Sequence, residues 1–285
     1  MTTTPPVTCP PLDWFLTSQW LKCPRLYQFR TAGIRTGSVQ SPAIQFGLEY
    51  HNCMEKFWNG ADYTPNLPAD LPTPYSNVAL ANLLHESVSQ ILQFLELDEI
   101  EKVGCVGKEP ELLLAPATEL NWKVKTDCVI TLPNGDVWIL EYKTSHYALS
   151  PAALDVYCTS DGQVSGQLYA GKALYGNAFN GVLLVHAKVA ATAKARKVTL
   201  VPITYSPERI DRWYYMICEI QQEIAECTSM DGDNRTSGRM DTLNCMSFNY
   251  LCSFYDSCHG STPLPAPSDE WVPGEGWKSE FKQLL

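Results

Sequence analysis

The stretch from 121 to 145, NWKVKTDCVITLPNGDVWILEYKTS, constrains this chain more than any other. Two runs of β-branched and aromatic residues flank a Pro-Asn-Gly turn, which reads as an antiparallel hairpin. A two-residue turn at Asn134–Gly135 would pair Asp127 with Tyr142. A three-residue loop, with Pro133 and Asn134 at the centre of a type I turn and Gly135 in the left-handed region, pairs Leu132 with Asp136 and therefore Asp127 with Glu141. The three-residue loop is the predicted one. Strand side chains alternate faces, so Asp127, Glu141 and Lys143 then share one face. Directly opposed carboxylates destabilise a sheet. A divalent cation between them removes that cost, and oxygen donors suit magnesium or manganese. On this reading Asp127, Glu141 and the carbonyl of Tyr142 hold the metal, while Lys143 orients a water or stabilises developing negative charge. The alternative is an ion-paired cross-strand cluster on an edge strand.

Around the hairpin the chain alternates helical and strand patterns. Residues 41–58 read as a helix with Ser41 as N-cap and Pro42 at its first position, and 79–97 as a core helix. Residues 110–116, 121–132 and 136–143 read as three successive strands. In the second of these, Trp122, Val124, Thr126, Cys128 and Ile130 share one face, and Lys123, Lys125 and Asp127 the other. A helix over 161–176 carries Ser160 and Gln163 at capping-box spacing. Strands follow at 180–189 and 197–206, joined by the basic ATAKARK, then a long helix over 207–227 that starts at Pro207. Strands between helices predict an α/β fold with a mixed central sheet flanked by helices.

Composition narrows the function. The 285 residues, 45% hydrophobic, suffice for a sizeable core, and the net charge is −10. An acidic chain is no general coat for polyanions, so nucleic-acid contact must come from local basic groups. Arg25, Arg30, Lys123, Lys125, Lys172, Lys188 and Lys194 are the candidate phosphate contacts. No signal peptide or membrane span is expected, so the chain is expected in a cytoplasm, that of the host if it is phage-encoded. Eleven cysteines in a reducing compartment read as core thiols or metal ligands. Cys53, Cys128, Cys158 and Cys218 read as small buried residues.

D-x(13)-E-x-K at the end of a hairpin resembles the core of the PD-(D/E)XK nucleases, also called restriction-endonuclease-like, with Thr126 where many members carry proline. Further matches resemble the RecB-type branch, which includes the CRISPR-adaptation nuclease and many phage exonucleases. IQFGLEYHNCMEKFW is similar to its FGxxxHxxxExFW helix, and DGQVSGQLYA to its Q-x-x-x-Y helix. CPRLYQFR and CMSFNYLCSFYDSC are similar to its cysteine segments. The resemblance implies that His51 is a metal-binding histidine, that Gly47 lets another group approach one turn before it, and that Gln163 joins Asp127, Glu141 and Lys143 in catalysis. The branch's tyrosine position holds Gln167 here. Glu109 and Glu111 stand where members often carry a further acidic residue.

The resemblance also implies that Cys23, Cys245, Cys252 and Cys258 ligate a [4Fe-4S] cluster joining the N- and C-terminal segments; zinc is the alternative, since four thiolates suit either metal. It implies one nuclease domain over 1–285, with a catalytic core at about 40–206 and a helical, iron–sulfur lobe from about 13–35 and 207–260. The expected activity is that of a metal-dependent DNA exonuclease in recombination, repair or processing, with DNA as partner and recombination or replication proteins as further partners. The rival is a non-catalytic DNA-binding or recombination partner on the same fold. Polarity, strand preference and oligomeric state stay open.

Overall fold

The computed structural model describes residues 12–31, 41–97, 104–105, 111–114, 122–146, 150, 152–154, 162–230, 245–247, 250–252, 254 and 258. The chain divides into two compact units. A core unit takes Val39–Pro110 and Lys125–Asp211, and a terminal unit takes Met1–Ser38, Glu111–Val124 and Arg212–Leu285. Among the described residues no helix is long and apolar enough to cross a membrane.

The core unit is a five-stranded sheet between helices. Its strands are β1 (Gly104–Cys105), β4 (Cys128–Thr131), β5 (Val137–Ser145), β6 (Phe179–Lys188) and β7 (Lys197–Ile203), in the order β1-β4-β5-β6-β7. The pairings β1–β4, β4–β5 and β6–β7 are antiparallel, and β5–β6 is parallel. Parallel neighbours need a crossover, and α5 (Gly162–Tyr175) supplies it. One sheet face, with Cys128, Ile130, Leu140, Tyr142, Leu183 and Val185, packs on α3 (Pro42–Trp58) and α4 (Asn77–Phe94). The other, with Val129, Ile139, Val182 and Leu184, packs on Val164 and Leu168 of α5. Ser41 caps α3 as expected, accepting the Ile44 N–H at 3.4 Å, with Pro42 in the first turn.

The hairpin register is the predicted one. Cys128 pairs with Leu140 and Thr131 with Val137. The Leu132 N–H donates to the Asp136 carbonyl at 2.7 Å, the Gly135 N–H closes the turn on Leu132 at 2.9 Å, and Gly135 has φ +90°. The Asn134 side chain accepts the Asp136 N–H, a local device that favours this turn.

Three expectations fail. Residues 121–132 are not one strand: β3 (Trp122–Lys125) pairs with β2 (Glu111–Leu114) in a separate two-stranded sheet, and β4 begins only at Cys128. The alternation of faces therefore does not run from Trp122 to Ile130. The break falls at Thr126–Asp127, just after the chain passes from the terminal unit to the core unit at Val124–Lys125. Lys123 is 5% exposed and its charge acts on Asp13, so it is no surface phosphate contact. Cys218 is half-buried rather than buried, whereas Cys53 and Cys128 are in the core. Cys158, Ser160, Glu109 and the strand ends beyond 111–114 lie outside the described residues.

In the terminal unit Asp13 caps α1 (Trp14–Lys22), and Pro24 opens α2 (Pro24–Thr31) after a break at Cys23. Trp20 meets Tyr27 edge-on and donates to Glu223 of α6 (Pro207–Met230) at 3.2 Å. Trp213, Ile217, Ile220 and Ile224 recur at helical spacing and are buried. The short strands β8 (Met246–Ser247) and β9 (Tyr250–Leu251) pair with each other.

Candidate active site

Glu141 lies at the middle of β5, just past the last residue that pairs with β4, and is 1% exposed. Both its oxygens are gripped. Lys143 reaches Oε1 at 2.6 Å. Gln163 donates to the same oxygen at 2.9 Å and accepts from the Lys143 ammonium at 3.0 Å. Gln167 donates to Oε2 at 2.6 Å. Gln163 and Gln167 stand one helical turn apart on α5 and so present one face. Small buried residues, Ser165, Gly166, Ala170 and Gly171, let that helix lie close on the sheet. The Gln163 amide is thus spent on β5.

Asp127 sits where the β4 ladder has ended. The register aligns it opposite Glu141, but its carboxylate bridges outward. Oδ2 accepts the Tyr142 N–H at 2.8 Å, and Oδ1 lies 3.0 Å from His51 Nδ1. Hydrogen-bonded pairs alternate along an antiparallel ladder, so the Tyr142 N–H and C=O both face the β4 side, past the end of that strand. Burial, and then the Asp127 charge, push the Glu141 carboxyl well above the ordinary carboxylate range, against the Lys143 ammonium that holds it down. Burial pulls His51 down, but its hydrogen bond to Asp127 and the charges of Asp127 and Glu141 outweigh that, and the net shift is upward.

His51 is carried by α3, which approaches β5 closely at Gly47: a Cβ there would lie 3.0 Å from Thr144 Oγ1. Ile44, Gly47, Leu48, His51, Asn52 and Asp127 line a cleft of about 280 Å³ beside the site. On the far face of β5 the Tyr142 hydroxyl accepts from Trp58 at 2.7 Å and its ring meets His51 edge-on. Tyr142 thereby fixes strand, helix and histidine together.

The structure brings Asp127, Glu141, Lys143, Gln163, His51 and the Tyr142 backbone into one neighbourhood. They form a chain of contacts rather than a cage. Among the described residues no three His, Cys, Asp or Glu side chains are gathered closely enough to enclose an ion. The donor chemistry fits a hard cation: two carboxylates, a backbone carbonyl of β5 beyond the end of β4 and an imidazole, with like charges that crowd each other when no cation is present. Sequence reasoning missed Gln167 as a contact of Glu141; its i+4 spacing from Gln163 was the available signal.

The four cysteines Cys23, Cys245, Cys252 and Cys258 are all half-buried free thiols in the terminal unit. The Cys252 N–H donates to the Cys245 carbonyl at 2.8 Å, and Cys252 and Cys258 flank the Phe29–Phe254 pair. Burial raises the Cys258 thiol, Arg25 opposes, and Cys252, Cys23 and Cys245 raise it further, so these three lie near enough to act on Cys258, although, among the described residues, no three of the four are gathered closely enough to enclose an ion.

The basic candidates separate. Lys188 pairs with Ser145 at the end of β5, two residues past Lys143; the exposed Lys194 follows in the β6–β7 connection, and the exposed Lys197 opens β7 opposite Lys188. Lys125 is exposed next to the site. Lys172 instead donates to the Gly176 carbonyl at the C-terminus of α5, near the start of β6. Arg25 and Arg30 lie over the rings of Phe29 and Phe254.

No family model matches the chain, and no curated protein matches it in sequence. Among solved structures, a protein of Eubacterium rectale named "putative exonuclease" aligns over 90% of this chain and 89% of its own, at 11% identity and a TM-score of 0.48. A protein named SSO0001 aligns over 78% of this chain and 96% of its own, at 12% identity and a TM-score of 0.28.

Proposed function

We propose that the chain is a metal-dependent deoxyribonuclease on a PD-(D/E)XK core, acting as an exonuclease. The observation that carries this reading is Glu141, a carboxylate 1% exposed, bound to Lys143 at 2.6 Å beside Asp127. A binding module has no use for two crowded carboxylates with an ammonium drawn onto the buried one. His51, Asp127, Glu141 and the Tyr142 carbonyl would hold magnesium or manganese. When bound, such an ion lowers the pKa of a water and screens phosphate charge. Lys143, steadied by Gln163, orients the attacking water and stabilises negative charge as it develops on the phosphate. Asp127 draws the Tyr142 backbone and His51 into line. Lys125, Lys188, Lys194 and Lys197 supply the phosphate contacts that a chain of net charge −10 otherwise lacks.

The second part of the proposal is a [4Fe-4S] cluster on Cys23, Cys245, Cys252 and Cys258, with zinc as the alternative. Its support is that Cys23, Cys245 and Cys252 lie near enough to act on Cys258, and that Cys252 and Cys258 pack beside Phe29 and Phe254. The cluster has a structural role, outside the hydrolytic chemistry.

The test is end-labelled single- and double-stranded DNA incubated with purified protein in magnesium, manganese or EDTA. Cleavage is expected only with metal, and is expected to vanish in Asp127→Ala, Glu141→Ala and Lys143→Ala. Full cleavage by Glu141→Ala, or in EDTA, would refute the assignment.

A further inference from the structure

We propose that Gln167 is a positioning residue that sets the width of the cation site by tying Glu141 to the chain segment that carries Asp127. The proposal rests on the reading of Asp127 and Glu141 as the metal-holding pair. Gln167 is fully buried. Its Nε2 donates to Glu141 Oε2 at 2.6 Å and to the Lys125 carbonyl at 3.2 Å. A backbone carbonyl only accepts, so the amide nitrogen must face it, and both N–H groups are then used. One contact is on β5; the other is two residues before Asp127, where the chain leaves β3 and has not yet joined β4. That segment lacks ladder bonds of its own at Thr126–Asp127. The amide therefore replaces a missing rung, and it fixes the separation of the two carboxylates.

The amide oxygen carries the argument further. Gln167 Oε1 is buried and has no hydrogen-bond partner, and neither has the buried Thr126 hydroxyl next to Asp127. Buried acceptors are satisfied as a rule. A glutamine kept only for packing would leave this oxygen a standing cost, whereas a cation that arrives with its water supplies the donor. Magnesium demands near-ideal octahedral geometry, while calcium accepts flexible geometry and longer bonds. Loss of the tie should thus weaken magnesium more than calcium.

The experiment is calorimetric titration of magnesium and of calcium into DNA-free protein: wild type, Gln167→Met and Glu141→Gln. Methionine keeps the volume and apolar packing but removes both donors. Gln167→Met is expected to fold and to lose about 10–100-fold in magnesium affinity, the usual effect of removing a group that orients a metal ligand, with a smaller loss for calcium. An unchanged magnesium-to-calcium ratio would overturn the proposal. In parallel, the Gln167 side-chain amide resonance of the wild-type protein is followed by NMR during magnesium addition. It is expected to shift, and a resonance that stays put overturns the proposal whether or not the variant folds. Wild-type protein that binds neither ion, like Glu141→Gln, would instead bring down the metal reading itself and this inference with it.

Discussion

Glu141 shows how a single residue can be held in a state water would not allow: a carboxylate inside the sheet, with an amide on each oxygen and an ammonium at one side. Its neighbours can be tested singly. Gly47 gives α3 its approach to β5, so Gly47→Val should push the helix away from Thr144 and carry His51 with it. Cleavage by the folded protein should fall at least tenfold, and the overpacking should also lower the melting temperature; unchanged cleavage would show that His51 needs no such closeness. His186, on β6 beside Lys143, is 3% exposed and 2.8 Å from Ser145 Oγ. Burial lowers its pKa below the ordinary 6.5. The folded chain therefore favours the neutral ring. The stability this gives is complete above the unfolded value and is lost as pH falls toward the folded one. His186→Gln should flatten that acid-side loss, measured as the difference in melting temperature between pH 8 and pH 5.5. Equal slopes for both proteins would refute it. The opposition of Asp127 and Glu141 was legible in the sequence because turn chemistry at Pro133–Gly135 is local. Gln167 was legible only as a residue one turn from Gln163; its contact with Glu141 was not, since that depends on how closely α5 lies on the sheet, and small residues spread over the helix set that distance.

At the scale of elements, the register of β5 against β6 decides which face Lys143 takes, because a one-residue slip would turn it over. An irregularity fixes that register: Val137 pairs with Phe179, but Trp138 pairs with Gly181. Gly181 has φ +139°, and a Cβ there would lie 2.5 Å from the Ile203 carbonyl of β7. Gly181→Ala should thus cost about 2–4 kcal/mol, strain and overpacking together. Gly176→Ala, with φ +56° but open space around it, should cost only about 1 kcal/mol. Urea unfolding of the two variants measures the difference, and equal midpoints would show that the close contact at Gly181 relaxes freely. The strand pattern of 121–132 shows the limit of periodicity. The alternation is real within β3 and within β4, but two sheets use it, and a run of residues carries no mark of which partner each half will find. The break coincides with Asp127, where release from the ladder frees the carboxylate to reach His51 and the Tyr142 N–H.

The whole chain passes between its two units at four points, after Ser38, Pro110, Val124 and Asp211, so neither unit is one continuous stretch of sequence. The terminal unit gathers the first segment and the last, which are joined by few regular elements among the described residues. A shared metal site on Cys23 and the three late cysteines would close a loop of more than two hundred residues. By analogy with a covalent cross-link, that closure removes denatured-state entropy worth about 5 kcal/mol, and metal binding becomes part of folding. Cys252→Ser is therefore expected to lose its iron and to unfold at lower temperature, the terminal unit first, with protease cutting there before it cuts the core. Val124 and Lys125 join the units directly before Asp127, so cleavage activity should fall as a consequence of that loosening. Glu141→Gln should do the opposite, abolishing cleavage while keeping full iron content. Anaerobic purification with iron, sulfide and zinc analysis reads both. Stoichiometric zinc without iron would replace the cluster but keep the staple. A Cys252→Ser protein with full metal content and unchanged melting would refute a site shared by the two ends of the chain.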